Sequence, residues 1–504
     1  MHPSLVFVAD VGGPETRHVG DEAMLEANLT AFRRLLPGLH ATVVSPRPWN
    51  DSQGVDWLPG PAFAAACDAT ENERLGLLGR RMAAAERGRS ARPGGADSAL
   101  ASALSNAEAL VISGGGNLRS RWPEHLYQRA ALVRWAQAIG KPVAFLGQTI
   151  GPELTAAERE LLAPVLREAR WVGVRELASL SLALDLGTPP ERLDYQLDDA
   201  FHLDPRPPTS EEGSRLPPLG DGPWVAVSLH PFDVAGGEVM RAVAGQLAAF
   251  AGATRTRLVF VPHEATNGGG DERFARELTA HLPAGVESRV CPVLPAGVVR
   301  WLTGQASLVL ASRYHALVFG LASCVPCLGV YEDEYTRIKL HGALAQASQE
   351  SRWCLPLAGA GEGALAARAL ELWDCRDAVR SALEERRPAR RQQEARRWPR
   401  LLAALGLESR VEPDCAAVEI DGNLVGRPPR AMALALAAAL QQRDAAARVE
   451  VERLQAESAR LRAELQWVTG TTTWRLRERL VRVRPLAAAF RAIRRRRWPR
   501  AERG

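Results

Sequence analysis

Short apolar runs alternate with Gly-rich or polar turns and then with longer stretches at helical spacing through the first three quarters of the chain. Leu5-Val6-Phe7-Val8-Ala9 leads into Gly12-Gly13 and Gly20-Asp21-Glu22, with Ala23 to Leu35 as the helical stretch. Ala109-Leu110-Val111-Ile112 leads to Gly114-Gly115-Gly116-Asn117, Pro142 to Leu146 leads to Gly147-Gln148-Thr149-Ile150-Gly151-Pro152, and Trp171 to Val174 delivers Arg175. A strand apolar on both faces, followed by a helix, is the βα unit of a parallel sheet. A segment dense in Pro, Gly and acidic residues, 206–222, interrupts the series, and the pattern then restarts. Trp224 to Ser228 ends at His230-Pro231, Leu258 to Val261 ends at Pro262-His263-Glu264, and Ser307 to Ala311 ends at Ser312-Arg313-Tyr314-His315. The expected fold is α/β, with two Rossmann-like doubly wound domains (1–205 and 223–375) joined by the linker 206–222 and facing a cleft. Residues 83–101, rich in Ala, Arg, Gly and Ser, read as a mobile insertion.

Beyond residue 375 the alternation is lost. Residues 376–430 read as a charged linker or loop region, and 431–470 as a helical extension. Leu440, Ala447, Leu454, Leu461 and Val468 recur every seven residues, with Val451 and Leu465 on the adjoining row. That repeat fits a coiled coil over 440–468 that would join copies of the chain as a homo-oligomer. A single amphipathic helix packed on the body has the same spacing.

Of the 504 residues, 46% are apolar and 24% charged, as in a soluble globular enzyme. No apolar run reaches the roughly 18–20 residues a membrane-spanning helix needs. The N-terminus enters a strand with no basic stretch and no cleavage site, so a cytoplasmic location is expected. Seven scattered cysteines, an odd number, argue for reduced thiols, and Cys324 and Cys327 lie in an apolar stretch that favours burial over metal. The net charge is +5, but residues 474–504 hold twelve Arg against two Glu, which leaves −5 for the rest. This tail, 471–504, interleaves arginines with Leu476, Leu480, Leu486, Phe490 and Ile493, a pattern suited to the anionic inner face of the plasma membrane. No nucleic-acid recognition fold accompanies it, so nucleic acid is not expected as a partner. Arginine has displaced lysine almost everywhere, and only Lys141 and Lys339 remain.

Ligands of open parallel sheets bind beyond the carboxyl ends of the strands, where Asp21, Arg175, Glu264, Arg313 and His315 are expected. Arg313 and His315 stand where a strand hands over to a helix, which makes an anion site, with phosphate as its natural guest. Lys339 offers a compact ammonium that guanidinium cannot replace. No metal-ligand spacing is present.

The run Ser312 to Lys339, with its Arg-x-His, then Val325-Pro326-Cys327-Leu328-Gly329-Val330-Tyr331, then Lys, resembles the polysaccharide pyruvyl transferase family. Gly20-Asp21-Glu22, Ser113 to Asn117, Gly147 to Pro152, Arg175-Glu176 and Asp198-Asp199-Ala200 complete the resemblance, which covers roughly residues 5–370. The resemblance implies a GT-B-like fold, phosphoenolpyruvate as donor substrate without a further cofactor, and a sugar or lipid-linked oligosaccharide as acceptor. It assigns Arg313 and His315 to the donor, with Arg175 as a second anion clamp, and puts Lys339, Gly114, Gly115, Gly116, Asn117 and Gln148 in the binding site. Ketal formation needs an acid and a base. His315 is taken as the acid, or as a phosphate hydrogen-bond donor; Asp21 and Glu264 are the candidate bases, Asp21 being equally readable as an N-cap. A nucleotide-sugar glycosyltransferase on the same fold and a non-catalytic scaffold of glycan assembly are the alternatives.

Overall fold

The computed structural model describes residues 2–12, 16–45, 54–60, 70–71, 73–77, 79, 96–231, 237–266, 269–357 and 363–409. The coiled-coil and basic-tail expectations lie outside these residues, as does most of the 83–101 segment. Its end is ordered as a helix, Ala96–Asn106.

Eight strands form the first sheet: β1 Ser4–Val8, β2 His40–Val44, β3 Asp56–Leu58, β4 Ala109–Ile112, β5 Gly115–Leu118, β6 Val143–Ile150, β7 Trp171–Val174 and β8 Leu193–Tyr195. Their order is β3-β2-β1-β4-β6-β7-β8, with β5 also on β6, and the pairs are parallel. Six strands form the second sheet: β9 Trp224–Ser228, β10 Arg257–Phe260, β11 Ser288–Val290, β12 Leu308–Ala311, β13 Cys327–Tyr331 and β14 Cys354–Pro356. They run in the order β11-β10-β9-β12-β13-β14, again parallel. In each sheet the winding reverses once, between β1 and β4 in the first and between β9 and β12 in the second. A crevice opens at each reversal because the flanking connections leave on opposite faces. The reversals place Asp10, His230 and Arg313 where a ligand can be held.

The apolar runs are buried on both faces, as parallel strands require. Leu5, Phe7, Ala109 and Val111 face one side of the first sheet, packed under Leu25, Leu29 and Phe32 of the Val19–Leu35 helix. Val6, Val8, Leu110 and Ile112 face the other side, under Leu126, Leu132 and Val133 of the Pro123–Ala138 helix. Val19, Ala23, Met24 and Ala27, on a second face of the Val19–Leu35 helix, belong to the core of the second sheet. One helix therefore joins both cores, so the two sheets are not independent of each other. Cys324 and Cys327 are fully buried in the second core.

The region after residue 375 corrects the linker expectation. Arg376–Glu385 and Arg387–Leu405 are helices, and the latter packs Trp398, Leu401, Leu402 and Leu405 into the core of the first sheet. Its charges hid this role: Arg390, Glu394 and Arg397 are all under 7% exposed. Arg397 pairs with Asp199 at 2.9 Å, and Glu394 accepts the Leu197 N–H at 3.2 Å. The 206–222 linker also contains one short helix, Ser210–Ser214, closed by a capping box between Thr209 and Glu212.

Candidate active site

The strand β12 stops at Ala311, and its continuation is tied to the neighbouring strand end: Ser312 N–H donates to Ser228 O at 3.0 Å, and His230 N–H donates to Ser312 Oγ at 3.0 Å. Arg313 is then the N-cap of the Tyr314–Ala322 helix, whose first turn carries no acidic residue. From the other half, the Val19–Leu35 helix starts at His18. Its start is pinned to the second half by Val19 N–H to His263 O at 3.0 Å, Ala265 N–H to Arg17 O at 2.9 Å and a bridge between His18 and Glu264. Two helix N-termini thus converge on one place. Gly20 allows it, because a Cβ there would lie 1.8 Å from His315 Nδ1.

A cleft of about 160 Å³ opens between them, lined by His18, Asp21, Gly116, Asn117, Arg175, His263, Glu264, Arg313, Tyr314, His315, Tyr335 and Lys339. Both expected arginines are present, but each is already held by carboxylates. Arg175 is 1% exposed and pairs with Asp198 at 2.5 Å and Glu176 at 3.1 Å, its guanidinium 4.5 Å from the Tyr314 ring. Arg313 pairs with Glu264 at 2.6 Å and donates from Nε to Asp271 Oδ1 at 3.1 Å. Arg175 therefore already lines the site, and Glu264, expected as a candidate base, holds an arginine instead. Lys339 differs: among the described residues no carboxylate lies within ion-pair distance of it. Its Nζ donates to Tyr335 Oη at 3.4 Å and stands 4.9 Å from the Tyr314 ring and 4.6 Å from the Tyr335 ring. Tyr335 is in turn anchored across the cleft, its hydroxyl donating to Gly116 O at 2.9 Å and its ring lying 3.9 Å under the Arg119 guanidinium.

His315 Nε2 approaches Asp198 Oδ2 at 3.7 Å. Burial raises the Asp198 carboxyl, but Arg175 and His315 outweigh it and hold the group below the usual carboxylate range. Asp198 stays ionised and stands as a counter-charge beside the imidazole, too far for a direct hydrogen bond. Asp21 moves the other way: burial pushes its carboxyl up, with nearby Asp10 adding to the effect, against the pull of His18, His315 and Arg175. A carboxyl so placed can exchange a proton nearer neutral pH than an exposed aspartate can. Burial, then His315 and Arg313, push His263 well below the ordinary imidazole value, which keeps it neutral.

Gly116 and Asn117 line the cleft as expected, and Gly116 is also needed for packing, since a Cβ there would sit 2.0 Å from Tyr335 Oη. Gly114, Gly115 and Gln148 do not reach it. A Cβ on Gly114 would strike Met24 Sδ at 2.5 Å, Gly115 is paired in the sheet with Gln148, and Gln148 donates to Ser113 O and Leu146 O at 2.7 Å. These three shape the strand ends from inside. His18, Asp198, Tyr314 and Tyr335 complete the site and were not assigned from the sequence. His18 stands two residues before the Gly-Asp-Glu run, and Asp198 lies in a quoted motif; the two tyrosines carried no separate signal.

A family model described as polysaccharide pyruvyl transferase matches residues 18–334, from His18 to the start of the helix that carries Tyr335 and Lys339. No curated protein sequence matches the chain. Among solved structures, a protein of Listeria monocytogenes described as a UDP-N-acetylglucosamine 2-epimerase is similar at 12% identity and TM-score 0.51, covering 80% of this chain and 97% of its own. A second UDP-N-acetylglucosamine 2-epimerase is similar at 10% identity and TM-score 0.50, covering 81% of this chain and 97% of its own. At such identities the likeness shows the fold alone, two Rossmann-like domains of the GT-B kind. With the family match spanning most of both sheets, the chain belongs to the polysaccharide pyruvyl transferase family.

Proposed function

We propose that the protein transfers the pyruvyl group of phosphoenolpyruvate to two hydroxyls of one sugar unit in a cell-surface or exopolysaccharide glycan. The observation that carries this reading is Lys339, the cation that no described carboxylate neutralises, in a compact cleft beside a helix N-terminus without acidic residues. A small donor with a carboxylate and a phosphate needs such a place, and the two arginines, each facing two carboxylates, leave no net positive charge of their own for it.

In the reaction, one sugar oxygen bonds to C2 of the enolpyruvyl group while C3 gains a proton and becomes a methyl. A second oxygen of the sugar then bonds to C2, and the C2–O bond to phosphate breaks, the phosphate leaving with the electron pair. The two hydroxyl protons end on the methyl and the phosphate. His315, with the Asp198 carboxylate 3.7 Å away, is the acid toward C3, and Asp21, its carboxyl raised by burial, is the base toward the sugar hydroxyl. Glu264 is bound to Arg313 and serves to place it. The Arg-rich segment 474–498 supports binding to an anionic membrane surface, where lipid-linked acceptors are assembled, and the heptads over 440–468 support self-association. Failure of the full chain to bind anionic vesicles at physiological salt would remove the first, and a monomer by analytical ultracentrifugation the second.

Calorimetric titration with phosphoenolpyruvate, and separately with UDP- and GDP-sugars, tests the donor. Saturable phosphoenolpyruvate binding that Lys339→Ala weakens about 100-fold is expected. Binding of a nucleotide sugar instead would turn the reading to a glycosyltransferase, and silence from every donor would favour a scaffold.

A further inference from the structure

Next to the cleft that holds Lys339 lies a second cavity of about 440 Å³, which shares His18, Asp21, Asn117 and Glu264 with it. It differs in chemistry: among the described residues lining it there is no arginine and no lysine. On its wall stands Trp122, 42% exposed; Ile139 is the other described large apolar side chain left exposed. The indole is not on a loose loop. Trp122 N–H donates to Arg119 O at 3.1 Å, and the residue is the N-cap of the Pro123–Ala138 helix. Asp10 and His125 also line this cavity, and Asp10 accepts from His125 Nδ1 at 3.0 Å and from Asn117 and Arg129. Burial raises the Asp10 carboxyl, but Arg129 and His125 outweigh it and hold it below its usual range. An ionised carboxylate only accepts, so Nδ1 of His125 carries the proton. His125 Nε2 and Asn117 Oδ1, neither with a described partner, are left for a ligand.

An aromatic face with carboxylates, an imidazole and an amide around it suits a hexose ring, whose C–H face stacks and whose hydroxyls need pointed partners. The anionic donor, by contrast, is served by the cations next door. We infer that this cavity is the acceptor subsite: the ring of a hexose stacks on Trp122, and Asn117 and His125 hold its hydroxyls beside Asp21. The inference rests on the pyruvyl-transfer reading and adds to it where the sugar enters and what it stacks on.

The test uses the full chain and saturation-transfer NMR with the methyl glycosides of glucose, galactose, mannose, N-acetylglucosamine and N-acetylmannosamine, with and without phosphoenolpyruvate. At least one glycoside is expected to receive saturation at its ring C–H protons, with Trp122→Ala weakening its binding about tenfold and Trp122→Phe restoring most of it. Phosphoenolpyruvate affinity in Trp122→Ala should match the parent by calorimetry. No glycoside binding to the parent, equal binding to Trp122→Ala, or displacement of the glycoside by free UDP would each overturn the subsite. If glycosides bind through Trp122 while phosphoenolpyruvate does not bind at all, the donor reading falls and the sugar subsite stands.

Discussion

The two halves of the molecule each send a helix N-terminus into the cleft, and they use it in opposite ways. The Val19–Leu35 helix carries Asp21 and Glu22 in its own first turn, so its positive end faces its own carboxyls. The Tyr314–Ala322 helix carries none there, and Lys339 from the following helix stands close by, 4.9 Å from the Tyr314 ring. In the proposed reaction the same backbone feature thus serves a proton-exchanging carboxyl on one side and an anion site on the other. What surrounds the terminus decides its chemistry.

The largest expected effect breaks the acidic side of this comparison. Glu22 is fully buried beside Arg17 at 3.2 Å, and burial pushes its carboxyl from an ordinary 4.5 up to about 8. Its folded pKa lies above the unfolded one, so the stability it contributes is present below pH 4.5 and is lost as pH rises through about 8. The loss over that interval is roughly 5 kcal/mol, and Glu22→Gln should flatten it in denaturant unfolding from pH 4 to 9. Equal pH slopes in both proteins would show that Glu22 ionises early. Next, Arg397→Ala leaves Asp199 buried without its cation, with only the Asn28 and Gln196 amides donating to it, one residue from the Asp198 that holds Arg175. A loss of about 3–4 kcal/mol in unfolding free energy is expected. A change under 1 kcal/mol, on the order of a surface pair, would mean the C-terminal helix does not brace the site.

Lys339→Ala addresses the cationic side. Phosphoenolpyruvate binding should weaken about 100-fold, close to 3 kcal/mol, because the charge-assisted contact has no substitute in the cleft. Unchanged affinity would return the anion to the paired arginines. The smallest effect is expected for Tyr335→Phe, which removes the hydroxyl bond to Gly116 O but keeps the ring beside Lys339. About 1 kcal/mol should be lost from phosphoenolpyruvate binding with overall stability nearly unchanged, since the hydroxyl places Lys339 and does not carry the core.

Strands and their order of appearance were legible in the sequence because buried parallel strands are continuous apolar runs, as in Leu5 to Ala9 and Trp224 to Ser228. The turn residues after them, among them Asp21, Arg175, Arg313 and His315, were legible as site candidates because winding reversals put strand ends together. Gly114 and Gln148 misled because a glycine or amide after a strand serves packing as readily as binding, and sequence spacing does not say which way a side chain points. The helix Arg387–Leu405 misled for a different reason: three of its buried residues are charged, and charge in a sequence reads as solvent.

By itself, then, the sequence determined the two βα series, the family and the set of polar residues at the strand ends. Those follow from local rules, since apolar periodicity and turn chemistry act over a few residues. Only the tertiary structure decided which cation of the cleft is left without a carboxylate among the described residues, which carboxyl is raised by burial, and that Trp122 faces a cavity. Those depend on neighbours far apart in the chain, Arg175 with Asp198 and Tyr314, Arg313 with Asp271, Tyr335 with Gly116, and on the removal of water around them.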